Sequence, residues 1–264
     1  MKLFNDNDMI EFAKYAKSYM TARKVEKAFE KYKSGDRLNC PKPRVNILTE
    51  GSEKRNIKKY PNGIIPEKGP PPPSPTPRKN EKNIVEKTET YAKKCHGELN
   101  QKYGKNLPYH SYSYHLDKVA EVFEKHKYVI INDADRINTH AACFAHDCME
   151  DALQSYNDIL KNTNKDIADI VFAVTDVPEK NRLLRTLSTL PKTINDYRAI
   201  ILKICDICAN ATYSKETKST MFRKYREEAE FKKPIFTQAL RWYKDDIDSY
   251  ELIKLWEYFD NCLK

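Results

Sequence analysis

The chain has 264 residues, 40% of them hydrophobic and 32% charged, which is enough for one or two domains with a packed core. Its 47 lysines and arginines outnumber its 38 aspartates and glutamates, and the formal net charge of +9 favours an anionic partner such as a phosphate ester or a nucleotide. No apolar run is long enough for a signal peptide or a membrane span, and the seven scattered cysteines predict free thiols in the cytoplasm.

Residues 1–60 predict a helical, basic accessory segment, because apolar residues recur at helical spacing from Met9 to Met20. Basic and aromatic residues are not interleaved there, which argues against a nucleic-acid partner. A protein partner or a second copy of the chain stays open as the partner of this segment. Residues 61–83 predict a linker, because the prolines of PNGIIPEKGPPPPSPTPRKN disfavour both helix and sheet.

Residues 84–264 predict one main domain that is all-α, because glycine is scarce and alternating β-branched stretches are few. Proline, asparagine and glycine mark loops between the periodic segments, as in YGKNLPYHS and TLPKTIND. The predicted helices lie near residues 84–103, 113–127, 133–154, 164–175, 179–189, 193–213, 216–230, 233–244 and 248–263.

The stretch HDCMED, residues 146–151, places three carboxylates and an imidazole directly after the apolar run AACFA. If residues 133–154 form one helix, His146, Asp147, Glu150 and Asp151 fall within about 140° of one another, since each residue advances by about 100°. Like charges four residues apart destabilise a helix, and burying them beside an apolar run is more unfavourable still. A metal dication on that face would offset the charge. An exposed acidic face with a spectator histidine is the alternative.

Two further predicted helices carry residues that complete a ligand set. His115 shares the apolar face of YSYHLDKVAEVF with Val119, where a lone histidine is more often a core residue than a ligand. Asp206 lies within the apolar helix AIILKICDICANA without a neighbouring counter-charge, so its burial requires a partner. With His146 and Asp147, these residues offer two imidazoles and two carboxylates. Such mixed ligation suits Mn²⁺, Fe²⁺, Co²⁺ or Zn²⁺ better than a Ca²⁺ or Mg²⁺ cage.

The order His, His-Asp, Asp on successive helices resembles the HD superfamily of metal-dependent phosphohydrolases. YSYHLDKVAEVF is similar to the Y-x-x-H-P-x-x-V-A segment of that family, and AACFAHDCMEDA is similar to A-A-x-L-H-D-x-x-E-D-T. ILKICDICANAT is similar to x-x-K-L-A-D-R-L-H-N-M-R-T, although DICAN lacks the arginine and histidine of that string. These variants are those of the Rel/Spo-type guanosine tetra- and pentaphosphate hydrolases, including the short single-domain kind. The resemblance covers about residues 88–230 and implies an HD-domain helical bundle.

The resemblance also implies roles for individual residues. His115, His146, Asp147 and Asp206 would ligate one metal ion, usually Mn²⁺ in this subgroup. Glu150 and Asp151 would orient the attacking water or take its proton. Asn210 would contact the nucleotide or its ribose, and Lys102 or Lys105 would meet its phosphates. Apart from the resemblance, His110 in the loop before His115 is a candidate substrate contact, with a surface histidine as the alternative.

The implied function is enzymatic: hydrolysis of a phosphorylated nucleotide, with removal of the 3′-pyrophosphate of ppGpp as the leading reaction. Removal of phosphate from NADPH or from another nucleotide is the alternative, because the departures from the family strings fall on substrate contacts. A protein that senses a nucleotide without catalysis is a further hypothesis, against which the Glu150–Asp151 pair argues.

Overall fold

The computed structural model describes residues 79–104 and 109–264. The predicted accessory segment at residues 1–60, most of the predicted linker, and Lys105 lie outside the described residues. The helix predicted from residue 84 begins earlier, at Lys79, within the last residues assigned to the linker.

The all-α prediction is confirmed for the described part of the chain, where nine α-helices and one two-stranded hairpin account for the regular structure. No helix among these residues combines the length and the apolar character that crossing a membrane requires. The elements are α1 Lys79–Glu98, β1 Lys102–Tyr103, β2 His110–Ser111, α2 Ser113–His126, α3 Asp133–Ala145, α4 Tyr156–Asn162, α5 Lys165–Val174, α6 Arg182–Thr193, α7 Tyr197–Glu216, α8 Met221–Leu240 and α9 Ser249–Cys262, with 3₁₀ turns at Lys127–Val129 and Arg241–Tyr243.

The long helix predicted for residues 133–154 is wrong in its second half. Helix α3 ends at Ala145, and residues 146–151 form consecutive turns. The His146 side chain bonds through Nδ1 to the carbonyl of Cys143, one of the carbonyls that a helix end leaves free. Leu153 then adopts a positive φ of 57°, which reverses the chain before the unpredicted helix α4. The His146 side chain thus competes for the Cys143 carbonyl, which the next turn of a helix would use. The helix ends there, although apolar periodicity alone would continue it.

Other boundaries also differ from the sequence prediction. Helix α6 continues to Thr193 through Pro191, within the string TLPKTIND that is predicted to be a loop. Two further differences concern α8 and the hairpin. The segments predicted as separate helices at 216–230 and 233–244 form the single helix α8, which contains Pro234 in its interior. Residues 102–103, predicted to end the first helix, instead pair with residues 110–111 as an antiparallel hairpin. In both places packing against the rest of the domain outweighed the local signal.

Helix α7 is the centre of the domain and contacts α2, α3, α5, α6, α8 and α9. It is apolar on nearly every side, as a helix enclosed by others must be. Its buried residues include Ile200, Ile201, Leu202, Ile204 and Cys205. Because Asp206 follows directly in this helix, the chain places a carboxylate inside its most enclosed element.

Core packing can be tested with two isoleucines in the same domain. Ile170 of α5 is fully buried, whereas Ile253 of α9 is 56% exposed. We expect Ile170→Ala to lower the free energy of unfolding by about 2–5 kcal/mol, because it leaves a cavity. Ile253→Ala should change it by less than about 0.5 kcal/mol. Urea unfolding followed by circular dichroism measures both, and equal losses would contradict this description of the core.

Candidate metal centre

Four side chains from three parts of the fold converge at one point. His115 comes from α2, His146 and Asp147 follow the end of α3, and Asp206 comes from α7. The His115 Nε2 atom lies 3.2 Å from His146 Nε2, 3.3 Å from Asp147 Oδ2 and 3.5 Å from Asp206 Oδ1. The His146 Nε2 atom lies 3.1 Å from Asp147 Oδ2 and 3.8 Å from Asp206 Oδ1. We call these four residues the His/Asp cluster.

Three members of the cluster are buried, and the fourth, Asp147, keeps 15% of its side chain exposed, so water disperses its charges only weakly. His115 and His146 are 2% and 1% exposed, and Asp206 is 7% exposed. Isolated carboxylates in such a position are strongly unfavourable unless they are paired or coordinate a metal. The convergence of both carboxylates on both imidazoles is the compensation that the fold provides.

The hydrogen bonding of His146 indicates that the cluster needs a cation at its centre. The ring donates from Nδ1 to the Cys143 carbonyl at 2.9 Å, which leaves Nε2 facing Asp147 with a lone pair if the ring is neutral. Burial lowers the pKa of His146, but Asp147 and Asp206 raise it to about 9. Either a proton or a metal ion would relieve the contact between these acceptor atoms. His115, His146 and Asp147 offer ligand atoms within 4.8 Å of one another, so the donor set fits a metal ion.

The expectation that Asp206 lacks a neighbouring counter-charge is wrong. Lys203, one turn earlier on α7, places its Nζ atom 3.2 Å from Asp206 Oδ2. Burial works against ionisation of both groups, but Lys203 lowers the pKa of Asp206, and Asp206 and Glu150 raise that of Lys203 far above its ordinary value. The lysine therefore neutralises one side of Asp206, while Oδ1 faces the cluster.

Both ends of the Asn210 amide form hydrogen bonds within the protein, one of them to the cluster. Its Nδ2 atom donates to Asp206 Oδ1 at 2.5 Å, and its Oδ1 atom accepts a hydrogen bond of 2.8 Å from the Tyr103 hydroxyl. Burial raises the pKa of Tyr103, so its hydroxyl keeps the proton that it donates. The amide thus links the hairpin to a carboxylate of the cluster.

Glu150 and Asp151 do not share a helical face with His146 and Asp147, because residues 146–151 form turns. The two carboxylates face different neighbours. Asp151 accepts a hydrogen bond of 2.7 Å from Tyr112, whose hydroxyl lies at the same distance from Asp147 Oδ2.

Glu150 lies at the exposed edge of the cluster and accepts a 2.6 Å hydrogen bond from the backbone N–H of Asp176. Although the residue is exposed, desolvation of its carboxylate by the surrounding protein raises the pKa of Glu150, Lys203 lowers it, and Asp147 and Asp176 raise it further, to about 6. A carboxylate with this pKa exchanges protons near neutral pH.

The predicted substrate-binding residues of the loop lie on the hairpin where the structure describes them. Lys102 is exposed on β1, and His110 is exposed on β2 and stacks on Tyr114 with ring centroids 4.2 Å apart. The hairpin also carries Tyr103, which reaches the cluster.

Three residues beside the cluster were given no role in the sequence analysis, although the first two lie in the matched strings: Lys203, Tyr112 and Tyr103. Lys203 could have been found, because it precedes Asp206 by three positions and therefore lies on the same helical face. Tyr112 likewise precedes His115 by three positions, within the string YSYH. Tyr103 carried no such signal, because it meets the cluster through tertiary packing.

Comparison with known proteins finds similarity among solved structures. No protein-family model matches the chain, and no curated protein matches it. Among solved structures, the chain is similar to a metazoan ortholog of SpoT, described as hydrolysing ppGpp and playing a role in starvation responses. The two chains are 20% identical with a TM-score of 0.48, and the match covers 71% of this chain and 98% of the other. At that identity and TM-score the likeness does not bear on activity, which depends on the side chains of the cluster.

The pairing of Lys203 with Asp206 can be tested by stability in the presence of a metal chelator. We expect Lys203→Met to lower the free energy of unfolding by about 3–5 kcal/mol, because it leaves a buried carboxylate without its cation. Lys165→Met is the matched control, since Lys165 is 75% exposed beside Asp169. Its loss should stay below about 1 kcal/mol. Urea unfolding measures both variants. If their free energies of unfolding fell by similar amounts, the buried Lys203–Asp206 pair would contribute no more to stability than the exposed pair.

Proposed function

We propose that the chain is an HD-type metal-dependent phosphohydrolase that acts on a phosphorylated nucleotide. The observation that carries the proposal is the convergence of two imidazoles and two carboxylates. Each lies within 3.8 Å of another atom of the cluster. The site is largely buried, and further carboxylates lie at its edge. A cluster that served packing alone would have no need of this concentration of ionisable groups.

His115, His146, Asp147 and Asp206 would hold the metal, for which we propose Mn²⁺ or another divalent transition metal. When bound, such an ion lowers the pKa of water and offsets negative charge on phosphate oxygens. The Cys143 carbonyl fixes the ring of His146, and Tyr112 and Asn210 hydrogen-bond to Asp147 and Asp206. These contacts orient the ligand atoms toward the centre of the cluster, as the outer contacts of metal ligands do.

Glu150 and Asp151 are proposed to orient the attacking water and take its proton. Glu150 is held by the N–H of Asp176 at the edge of the cluster, and Asp151 is linked to Asp147 through the Tyr112 hydroxyl. Lys203 interacts electrostatically with both Asp206 and Glu150. Its positive charge would offset the negative charge that develops on phosphate.

The leading substrate is ppGpp, with removal of its 3′-pyrophosphate, as the resemblance of the sequence strings implies. The net charge of +9 suits such a polyanion. Lys102, Lys105 and His110 are proposed to meet its phosphates or base from the hairpin and its loop. Asn210 would reach a ribose after exchanging its present partner Tyr103 for the substrate.

NADPH phosphatase activity is the second candidate, and the engagement of Asn210 favours it. Because the Asn210 amide already bonds to Tyr103 and Asp206, a ribose that bound at this side chain would compete with these two hydrogen bonds. A different nucleotide, with its phosphate at the cluster and its ribose elsewhere, would leave these bonds intact.

The setting of the enzyme is proposed to be the cytoplasm, with residues 1–60 as a segment for docking a protein partner or a second copy. All six cysteines of the described part are free thiols, which suits a reducing compartment.

The proposed reaction is tested with purified full-length protein and a panel containing ppGpp, NADPH and nucleoside triphosphates. We expect release of pyrophosphate from ppGpp or of phosphate from NADPH, loss of that activity with a chelator, and recovery when Mn²⁺ is returned. Asp147→Asn should abolish turnover, because it removes a ligand charge from the cluster. Metal-loaded protein that releases no product from any compound of the panel would contradict the proposal.

The water-activating roles are tested by Glu150→Gln and Asp151→Asn. Each change keeps the size of the side chain and removes the proton acceptor, so we expect kcat to fall by roughly 10²–10⁴-fold while metal content is unchanged. Glu121→Gln is the control, because Glu121 is an exposed carboxylate of α2 paired with Lys118. Retained turnover in both the Glu150 and the Asp151 variant would show that neither carboxylate activates the water and would contradict these roles.

A further inference from the structure

The two imidazoles of the cluster are held in different ways. His146 donates from Nδ1 to the Cys143 carbonyl, which is the usual means of fixing a metal-binding ring. The Nδ1 atom of His115 is buried and has no hydrogen-bond partner among the described residues. On the side of the ring away from the cluster, the orientation of His115 therefore depends on the rings packed around it.

Tyr103 supplies the closest parallel ring. Its centroid lies 4.8 Å from that of His115, with an angle of 16° between the ring planes. Tyr112 meets His115 edge-on at 5.8 Å and 79°, and His146 meets it at 5.1 Å and 64°. The stacked contact with Tyr103 limits tilting of the imidazole, whereas the edge-on contacts limit its sliding.

The same tyrosine reaches a second member of the cluster through one amide. Its hydroxyl donates to Asn210 Oδ1 at 2.8 Å, and Asn210 Nδ2 donates to Asp206 Oδ1 at 2.5 Å. Asp206 Oδ1 is the oxygen that lies 3.5 Å from His115 Nε2. One side chain thus restrains ligand atoms on both α2 and α7.

Tyr103 is itself fixed by the next residue of the hairpin. Gly104 has φ of 92°, and a Cβ atom there would clash with the Tyr213 hydroxyl of α7. The Tyr213 ring packs against Tyr103 with centroids 4.6 Å apart. Glycine is therefore required for this close approach, which places the hairpin against the helix that carries Asp206.

We propose that Tyr103 is a positioning residue for the metal centre: its ring fixes His115 by stacking, and its hydroxyl fixes Asp206 through Asn210. The proposal rests on the proposed function in one respect, that the His/Asp cluster holds a metal. Tyr103 acts through the ligands and needs no contact with the substrate.

The test is the dissociation constant of Mn²⁺ for the full-length protein, measured by isothermal titration for Tyr103→Phe and Tyr103→Leu. Tyr103→Leu removes both restraints, and we expect weakening by about 10–100-fold, the range found when outer contacts of metal ligands are lost. Tyr103→Phe keeps the stacked ring and loses the hydroxyl, so its affinity should fall between those of Tyr103→Leu and the wild type. In turnover assays at saturating Mn²⁺, KM should change less than kcat.

Tyr114→Leu is the matched control for damage to the aromatic packing. Tyr114 packs with Tyr103 at 6.2 Å and with Tyr213 at 5.9 Å, one ring further from the cluster. We expect its Mn²⁺ affinity to stay closer to wild type than that of Tyr103→Leu. Equal weakening in these two leucine variants would mean that Tyr103 serves the packing of the hairpin only, and would overturn the proposal.

The outcomes separate this inference from the proposed function. Wild-type protein that binds neither Mn²⁺ nor Zn²⁺, Fe²⁺ or Co²⁺ overturns both, whereas wild type that binds a metal but hydrolyses nothing overturns the reaction alone. Unchanged Mn²⁺ affinity in Tyr103→Leu overturns the positioning role and leaves the reaction standing. If Tyr103→Leu does not fold, Tyr103→Phe decides: weaker binding supports the role through Asn210, and wild-type binding overturns it.

Discussion

The described domain depends on the burial of two carboxylates and two imidazoles at its centre. Asp206 is buried and Asp147 is largely buried, and each lies close to both histidines. Burying charged side chains is unfavourable, and hydrogen bonds and nearby cations offset that unfavourable free energy. Lys203 supplies one cation outside the cluster. A metal ion between the ligand atoms is the natural second one.

The same constraint explains why helix α7 is both core and site. Its apolar residues hold the surrounding helices together, and Asp206 occupies a position that those helices close. Because α2 and α3 pack against α7, His115 and the residues after α3 reach Asp206 without a long loop. The site therefore gains its rigidity from the core, whereas Glu150 and Asp151 at its edge are exposed to solvent.

The sequence predicted the parts of this arrangement that depend on local spacing. Periodicity predicted the all-α fold and the buried character of α7. The motif strings identified the four candidate ligands His115, His146, Asp147 and Asp206. The end of α3 at Ala145 was not predicted, because a side-chain bond from His146 to a backbone carbonyl outweighed the apolar period. Tyr103 could not be predicted either, since its stack on His115 depends on the hairpin and on packing against α7. Whether the four residues ligate a metal stays a prediction.

The most direct test of the central claim is X-ray absorption of the full-length protein loaded with one equivalent of Zn²⁺ or Mn²⁺. We expect a first shell of oxygen and nitrogen atoms with scattering from two imidazole rings. In His115→Ala the scattering should fall to that of one ring. For Zn²⁺ the ligand distances should be about 2.0–2.2 Å, the usual range for nitrogen and oxygen ligands. A shell containing sulfur, or one without imidazole scattering, would place the metal elsewhere and contradict the account.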